Sequence, residues 1–376
     1  MKIQYLYKND FVRDPMAVIR IYYFSGTGNS RRVAGWIRKA GEKQGLPVEC
    51  MDISKNQRRH INRPEKDVII GFCSPTHGFN LPPVMMHFLL FFPRGKNKVF
   101  IVNTRAGMKL SKFFLPGLSG MAQYFSALIL LLKGYKVVGM RPVDLPSNWI
   151  SLHPGLKNRV VDSLHERWER KTEHFAEKII SGKRDYRALY DLAQDLLVTP
   201  VAALYYLIGR FVIAKSFYAD SSCTNCGICI RECPLHAIRE TDKRPFWTFR
   251  CESCMHCMNN CPTRSIQTAH GYFIGAMFLS HSLILVLFWK YIALFFKLPS
   301  DHILWDFTDT LISGAITILT FLVTYRIFHY LLKVPVFREI IHYSSFTRFH
   351  FWRRYKYREQ KDSEKPSGKI RILRTV

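Results

Sequence analysis

Two cysteine runs constrain this chain more than any other feature. Cys223-Thr-Asn-Cys226-Gly-Ile-Cys229-Ile-Arg-Glu-Cys233-Pro234 and Cys251-Glu-Ser-Cys254-Met-His-Cys257-Met-Asn-Asn-Cys261-Pro262 each read C-x₂-C-x₂-C-x₃-C-P. At that spacing three close thiolates of one run hold a cubane cluster, and the remote fourth ligates the other cluster. The expected ligands of one 4Fe-4S cluster are Cys223, Cys226, Cys229 and Cys261; those of the second are Cys233, Cys251, Cys254 and Cys257. Zinc needs only two C-x₂-C pairs and explains neither the third Cys nor the trailing Pro of each run. Eight of the ten cysteines fall between residues 223 and 261, clustering for a metal rather than for cross-links. With no apolar signal run before Pro15, a secreted disulfide scaffold is disfavoured.

These residues resemble a two-cluster bacterial ferredoxin domain, a small α+β unit over about 218–270. Before it lies a first domain, 1–182, which from Ala17 onward alternates β-branched or aromatic runs with segments of helical period. Strands are expected at Val18 to Phe24, Val48 to Ile53, Val68 to Cys73, Val99 to Asn103 and Lys136 to Pro142. Helices are expected at about 29–43, 83–92, 117–132 and 156–181. Five such units make an α/β fold with a doubly wound parallel sheet, whose ligands bind beyond the carboxyl ends of the strands. Cys50 and Cys73 fall on strands and read as core.

At the first strand-to-helix turn stand Ser25, Gly26, Thr27, Gly28, Asn29 and Ser30. The glycines permit tight turns, the hydroxyls can donate, and the helix N-terminus offers amides and positive dipole to a phosphate. Neither a triphosphate-loop Lys nor a G-x-G-x-x-G fingerprint is present, so a mononucleotide phosphate is expected. With the five strands, this loop resembles the FMN-phosphate loop of flavodoxins. That resemblance implies FMN, flanked by two further loops: Pro75, Thr76, His77, Gly78 and Phe79 after the third strand, and Thr104, Arg105, Ala106 and Gly107 after the fourth. Many flavodoxins carry a Tyr in the first of these loops, where this chain has His77. Asp144 to Trp149, beyond the fifth strand, is a further candidate wall.

Residues 183–217 read as a connector with an apolar, interfacial helix at Leu196 to Gly209, too short for an ordinary span. Gly271 to Trp289 is nineteen residues without Asp, Glu, Lys or Arg, roughly 28 Å of helix and enough to cross hydrocarbon. With Thr310 to Tyr325 it forms an expected transmembrane hairpin over 271–332. Its link, Lys297 to Asp309, carries one Lys and three Asp, whereas Arg326 to Val376 carries thirteen Lys plus Arg against four acids. The positive-inside bias therefore puts the tail, 333–376, and both redox domains on the cytoplasmic face of the inner membrane. The whole chain carries +27. Arg353-Arg354-Tyr-Lys356-Tyr-Arg358 follows a span directly, so it reads as a segment on anionic lipid, about 1 kcal/mol per basic residue, rather than a nucleic-acid patch. His281 and His329, at different depths, read as interhelical packing rather than haem ligands.

The order of units resembles the flavodoxin-ferredoxin fusion proteins of anaerobic bacteria, with the hairpin and basic tail as departures. The resemblance implies an electron-transfer protein linking FMN to two clusters and exchanging electrons with a redox partner protein or quinone. Two other readings are a flavin oxidoreductase in which His77 or Arg105 contacts a small substrate, and a redox-responsive membrane scaffold.

Overall fold

The β-branched and aromatic runs pair side by side in the computed structural model, which describes residues 19–54, 61–295 and 303–352. The first domain runs β1 (Ile19–Tyr23), α1 (Asn29–Lys43), β2 (Val48–Asp52), β3 (Ile69–Pro75), α2 (Pro83–Phe91), β4 (Lys98–Leu110), β5 (Phe113–Leu115), α3 (Ala122–Leu132), β6 (Lys136–Pro146) and α4 (Asn158–Ile180). Five strands lie parallel in the order β2-β1-β3-β4-β6. This is the flavodoxin-like winding, which reverses between β1 and β3 and opens its ligand crevice there. One apolar layer joins the sheet to α1 and α4 through Val33, Trp36, Ile37, Leu164, Trp168 and Phe175. The opposite layer uses Phe72, Phe88, Leu89 and Leu130. Cys73 is wholly buried and Cys50 is half-buried.

Two expectations change here. The fourth strand does not end at Asn103. It continues through Thr104 to Leu110, pairing Thr104 with Val143, Arg105 with Asp144 and Gly107 with Pro146, then turns back as β5. The segment Thr104 to Gly107 is therefore strand rather than loop, and Asp144 lies within β6 rather than beyond it. The cause is nonlocal: Arg105 pairs with Asp144 across the two strands at 2.6 Å.

The helical part of the connector is longer than the expected Leu196 to Gly209. After a turn of 3₁₀ helix at Arg187–Asp191 come α5 (Leu192–Leu197) and α6 (Thr199–Ser216), which contains a π-helical segment, Tyr205–Gly209. The two arms meet at 76°. The break falls at Val198, which leaves helical geometry at φ −89° and ψ 0°, and Pro200 sits in the first turn of the second arm, where its missing N–H costs no helical bond.

The cysteine region contains β7 (Phe217–Ala219), α7 (Ile228–Arg231), β8 (Ile238–Thr241), β9 (Arg244–Trp247), α8 (His256–Asn260) and β10 (Ile266–Thr268). β7 pairs with β10 and β8 with β9, both antiparallel. Helix α9 starts at His270 and runs through a second π-helical segment, Leu279–Leu285, to Phe295; α10 covers Ile303–Leu331. Two stretches, His270–Tyr291 and Thr308–Leu331, are long and apolar enough to cross a membrane. His329 packs among Tyr325, Phe328 and Phe246, whereas the Nδ1 of His281 faces the Met277 carbonyl one turn back.

The tail is not wholly a loose basic segment. Helix α11 (Pro335–Tyr343) buries Ile341, Ser345 Oγ meets Tyr218 Oη at 2.8 Å, and Thr347 Oγ1 donates to Gln267 Oε1 at 2.7 Å. Val18, the link at 297–302 and the Arg353 to Arg358 patch lie outside the described residues.

Candidate redox sites at the domain interface

Each cysteine of the second run lies 28 residues after its counterpart in the first, and the backbone follows the same period. Asn225 and Ser253, Gly227 and Met255, and His236 and Arg264 all have positive φ, between 49° and 69°. Left-handed residues flanking the second cysteine turn successive amides inward, a concave arrangement suited to anionic sulfur clusters. For Met255 that conformation carries a steric cost that a folded, cluster-bearing loop offsets.

Cys223, Cys226, Cys229 and Cys261 line one cavity. Cys233 lies within electrostatic reach of Cys251, Cys254 and Cys257. No group of three His, Cys, Asp or Glu among the described residues gathers around a single ion position. Four cysteines gathered around one cavity are the ligand number that a 4Fe-4S cubane takes. Burial pushes the Cys229 thiol up to about 12 and the Cys251, Cys254 and Cys257 thiols higher still. Burial also acts on Cys261, but hydrogen bonds with Ser265 and Thr263 outweigh it and lower that thiol. Cys226 is exposed, while Cys233 and Cys257 are buried. The first ligand set faces solvent and the second faces the α/β domain.

The glycine-rich turn sits at the carboxyl end of β1, where α1 begins after Gly28 at φ 101°. This helix has no side-chain cap and no acidic residue in its first turn, leaving its amides and dipole for an anion. Ser25 Oγ accepts from the Gly28 amide at 3.0 Å, Thr27 Oγ1 accepts from Asn148 Nδ2 at 2.5 Å, and Ser30 Oγ lies 3.1 Å from Thr104 Oγ1. Asn29 Nδ2 donates to the Pro146 carbonyl at 2.8 Å. Around this edge Asn29 Oδ1, Asn148 Oδ1, His77 Nδ1 and Trp149 Nε1 are buried with no protein partner. Each such atom costs about 1–3 kcal/mol unless something else bonds it. A helix N-terminus for phosphate and orphaned donors and acceptors for hydroxyl and carbonyl groups fit a flavin mononucleotide.

His77 lies in a tight loop closed by two backbone hydrogen bonds with Asn80, at 2.9 and 3.1 Å, where Gly78 and Phe79 take positive φ. Burial lowers His77 to about 4, so it is neutral at pH 7. Pro75 ends β3, and the Thr76 amide bonds the Thr104 carbonyl at 2.8 Å. Ala106 is exposed, and Gly107 packs on Asp144 of the neighbouring strand. Arg105 is buried; its Nε donates to Asp144 and its Nη1 to Asp191, both at 2.6 Å. Those two carboxylates fix the guanidinium in place.

The second cysteine run lies directly on the glycine turn. A Cβ at Gly26 would come within 2.7 Å of Cys254 Cβ. His256 Nδ1 is 2.6 Å from the Gly26 carbonyl, and Asn260 Nδ2 is 2.8 Å from His256 Nε2. Both bonds are satisfied when Nδ1 carries the proton. Behind them one core holds Phe24, Phe72 and Leu81 of the first domain with Trp247, Met255 and Cys257 of the second. A third contact comes from the connector, where a Cβ on Gly78 would overlap the Tyr205 ring. Sequence reading missed His256 and Tyr205. His256 was findable as the one histidine within either cysteine run, whereas Tyr205 sits in an apolar run without a local signal.

Residues 222–266 match the model of the 4Fe-4S dicluster domain. No match is found among curated proteins. Solved structures similar to the chain include rubredoxin oxygen:oxidoreductase from the anaerobe Desulfovibrio gigas, at 16% identity over 43% of this chain and 36% of that one, TM-score 0.29. Oxidised flavodoxin 1 from Bacillus cereus aligns at 17% identity over 43% of this chain and 97% of its own, TM-score 0.29. A short-chain flavodoxin associated with a non-canonical PDU bacterial microcompartment aligns at 14% over 44% and 99%, TM-score 0.30. The chain thus spans little more than a third of the oxidoreductase and nearly all of each flavodoxin. The fold assignment rests on the strand order itself. Paired 4Fe-4S clusters carry single electrons, which places the chain in electron transfer. A flavodoxin-like α/β domain packed on a 4Fe-4S dicluster domain, continued into two helices long enough to cross a membrane, gives this chain the architecture of a flavodoxin-ferredoxin fusion.

Proposed function

We propose that this is a membrane-anchored electron-transfer protein, linking FMN in the α/β domain to two 4Fe-4S clusters and then to a membrane partner. The observation that carries the reading is the seating of Cys254 and His256 on Gly26. Bound flavin exchanges one or two electrons and each cluster exchanges one. The turn from Ser25 to Ser30 holds the phosphate, and Asn148 orients Thr27. His77, neutral, offers a hydrogen bond to the ring edge without adding charge. Trp247, Met255 and Cys257 keep water from the second ligand set. The exposed Cys226 loop is the contact for a soluble redox partner. Both redox domains and the basic tail lie on the cytoplasmic side, the tail against anionic lipid.

The test is anaerobic purification in detergent with flavin, iron and acid-labile sulfide assays and a reductive titration. About one FMN and about eight iron per chain, all reducible, is the expected result. Full iron without flavin would overturn the FMN assignment of the glycine turn.

A further inference from the structure

Between the connector and the two spans lies an apolar cavity of about 450 Å³, within the size range of small-ligand sites. Tyr205, Ile208, His281, Asp309, Ser313 and Thr317 line it. The wall is apolar on the side of Val201, Leu204 and Phe273, and polar groups come mainly from the spans. Val201 and Leu204 are exposed, at 52% and 53%, so the cavity meets the surface beside the apolar helices.

Three further observations converge on it. Both π-helical segments in the chain's described residues, Tyr205–Gly209 and Leu279–Leu285, contribute to its wall. Such segments forgo regular hydrogen bonding and are frequent at functional sites. His281 and Asp309 belong to the two membrane-length stretches, where ionisable side chains facing a cavity are seldom structural. Tyr205 joins the cavity to the redox sites: its ring covers Gly78, lies 5.6 Å from the Trp149 ring, and its hydroxyl is within electrostatic reach of Cys251 and Cys254.

We infer that this cavity binds a membrane quinone, its ring among Tyr205, His281 and Thr317 and its isoprenoid tail leaving past Leu204. The inference rests on the electron-transfer reading above. An aqueous substrate does not match walls this apolar, and a plain lipid tail does not explain an imidazole and a carboxylate at the same cavity. The reaction takes one quinone, two electrons and two protons to one quinol. The reduced pair of 4Fe-4S clusters is the reductant, supplying electrons singly through the set held by Cys233, Cys251, Cys254 and Cys257. The two carbonyl π bonds are lost as two O–H bonds form, with protons drawn from water through His281 and Asp309. The reverse reaction returns the same electrons and protons.

The full chain, purified anaerobically in detergent, is photolabelled with an azido-quinone, with decylubiquinone as competitor, and the labelled peptides are mapped. Label on segments 201–213, 273–281 or 309–317, competed by decylubiquinone, is expected. Leu204→Trp fills the mouth from an exposed position, and His281→Leu removes the imidazole without adding bulk. Each should weaken decylubiquinone binding at least about tenfold. Iron, sulfide and dithionite reduction are measured on the same samples. Intact, reducible clusters with label elsewhere, or with both variants binding as wild type, overturn the quinone site and leave the electron-transfer reading standing. Absence of clusters overturns both.

Discussion

His256 Nδ1 lies 2.6 Å from the carbonyl oxygen of Gly26, so a side chain between two cluster ligands is hydrogen-bonded to the turn that receives the phosphate. Replacing His256 with Leu keeps the bulk and removes the bond. Electron exchange between flavin and clusters should slow about tenfold through lost positioning, with iron content unchanged. Stopped-flow reduction monitored at both chromophores measures this, and an unchanged rate would show that the contact does not govern transfer.

Ser30 stands in the first turn of α1, buried and 3.1 Å from Thr104 Oγ1. Ser30→Asp places negative charge where the helix dipole meets the phosphate and should lower FMN affinity by at least about tenfold. Fluorescence titration of the flavin-stripped protein reads it out. Retained affinity would move the phosphate away from this turn.

Arg105 is buried between Asp144 and Asp191. Arg105→Met leaves Asp144 buried without its cation and should cost about 3–5 kcal/mol of domain stability. Chemical denaturation followed by tryptophan fluorescence checks the value; a loss below about 1 kcal/mol would mean that water reaches Asp144 freely.

His77 titrates at about 4 because burial penalises its charged form, whereas an exposed histidine titrates near 6.5. The unfolded chain therefore binds a proton before the folded one as pH falls. Stability is undiminished above about 6.5, declines between about 6.5 and 4, and is lower by about 3 kcal/mol below that window. His77→Gln should flatten this part of the acid profile of thermal unfolding. An identical slope in wild type and variant would show that other groups set it.

Cys261 belongs by sequence to the second run and by position to the first cavity. Cys261→Ser should therefore impair the cluster of Cys223, Cys226 and Cys229, leaving iron between about four and about seven per chain. Electron paramagnetic resonance identifies which signal is lost. Loss of the buried, flavin-side signal instead would reverse the ligand pairing.

What was legible in the sequence follows the range of the interactions involved. The cysteine spacing is local, and the cavity gathers the expected first ligand set. The bounds of α1 are also local, because Gly28 marks its start and the apolar face from Val33 to Ala40 repeats with helical period. β4 is different. Thr104 to Gly107 stands where the flavodoxin resemblance implies a loop, and it is a strand because Arg105 meets Asp144, 39 residues away. The connector reads as one apolar helix at Leu196 to Gly209, whereas two arms meet there at 76° about Val198. Basic composition made the segment after Leu331 read as a tail on anionic lipid. Its polar side chains Ser345 and Thr347 instead bond Tyr218 and Gln267, about 80 to 130 residues earlier.

The common core of Phe72, Trp247 and Met255 has a kinetic consequence. Separate flavodoxins and ferredoxins must collide, and encounter through charged surfaces slows as salt screens them. Here the glycine turn and the second cysteine run are already in contact, so exchange between them is unimolecular. Its rate should not change with protein concentration or ionic strength, and no fraction of either carrier is lost to other partners. Competition is confined to the exposed Cys226 loop and to the membrane.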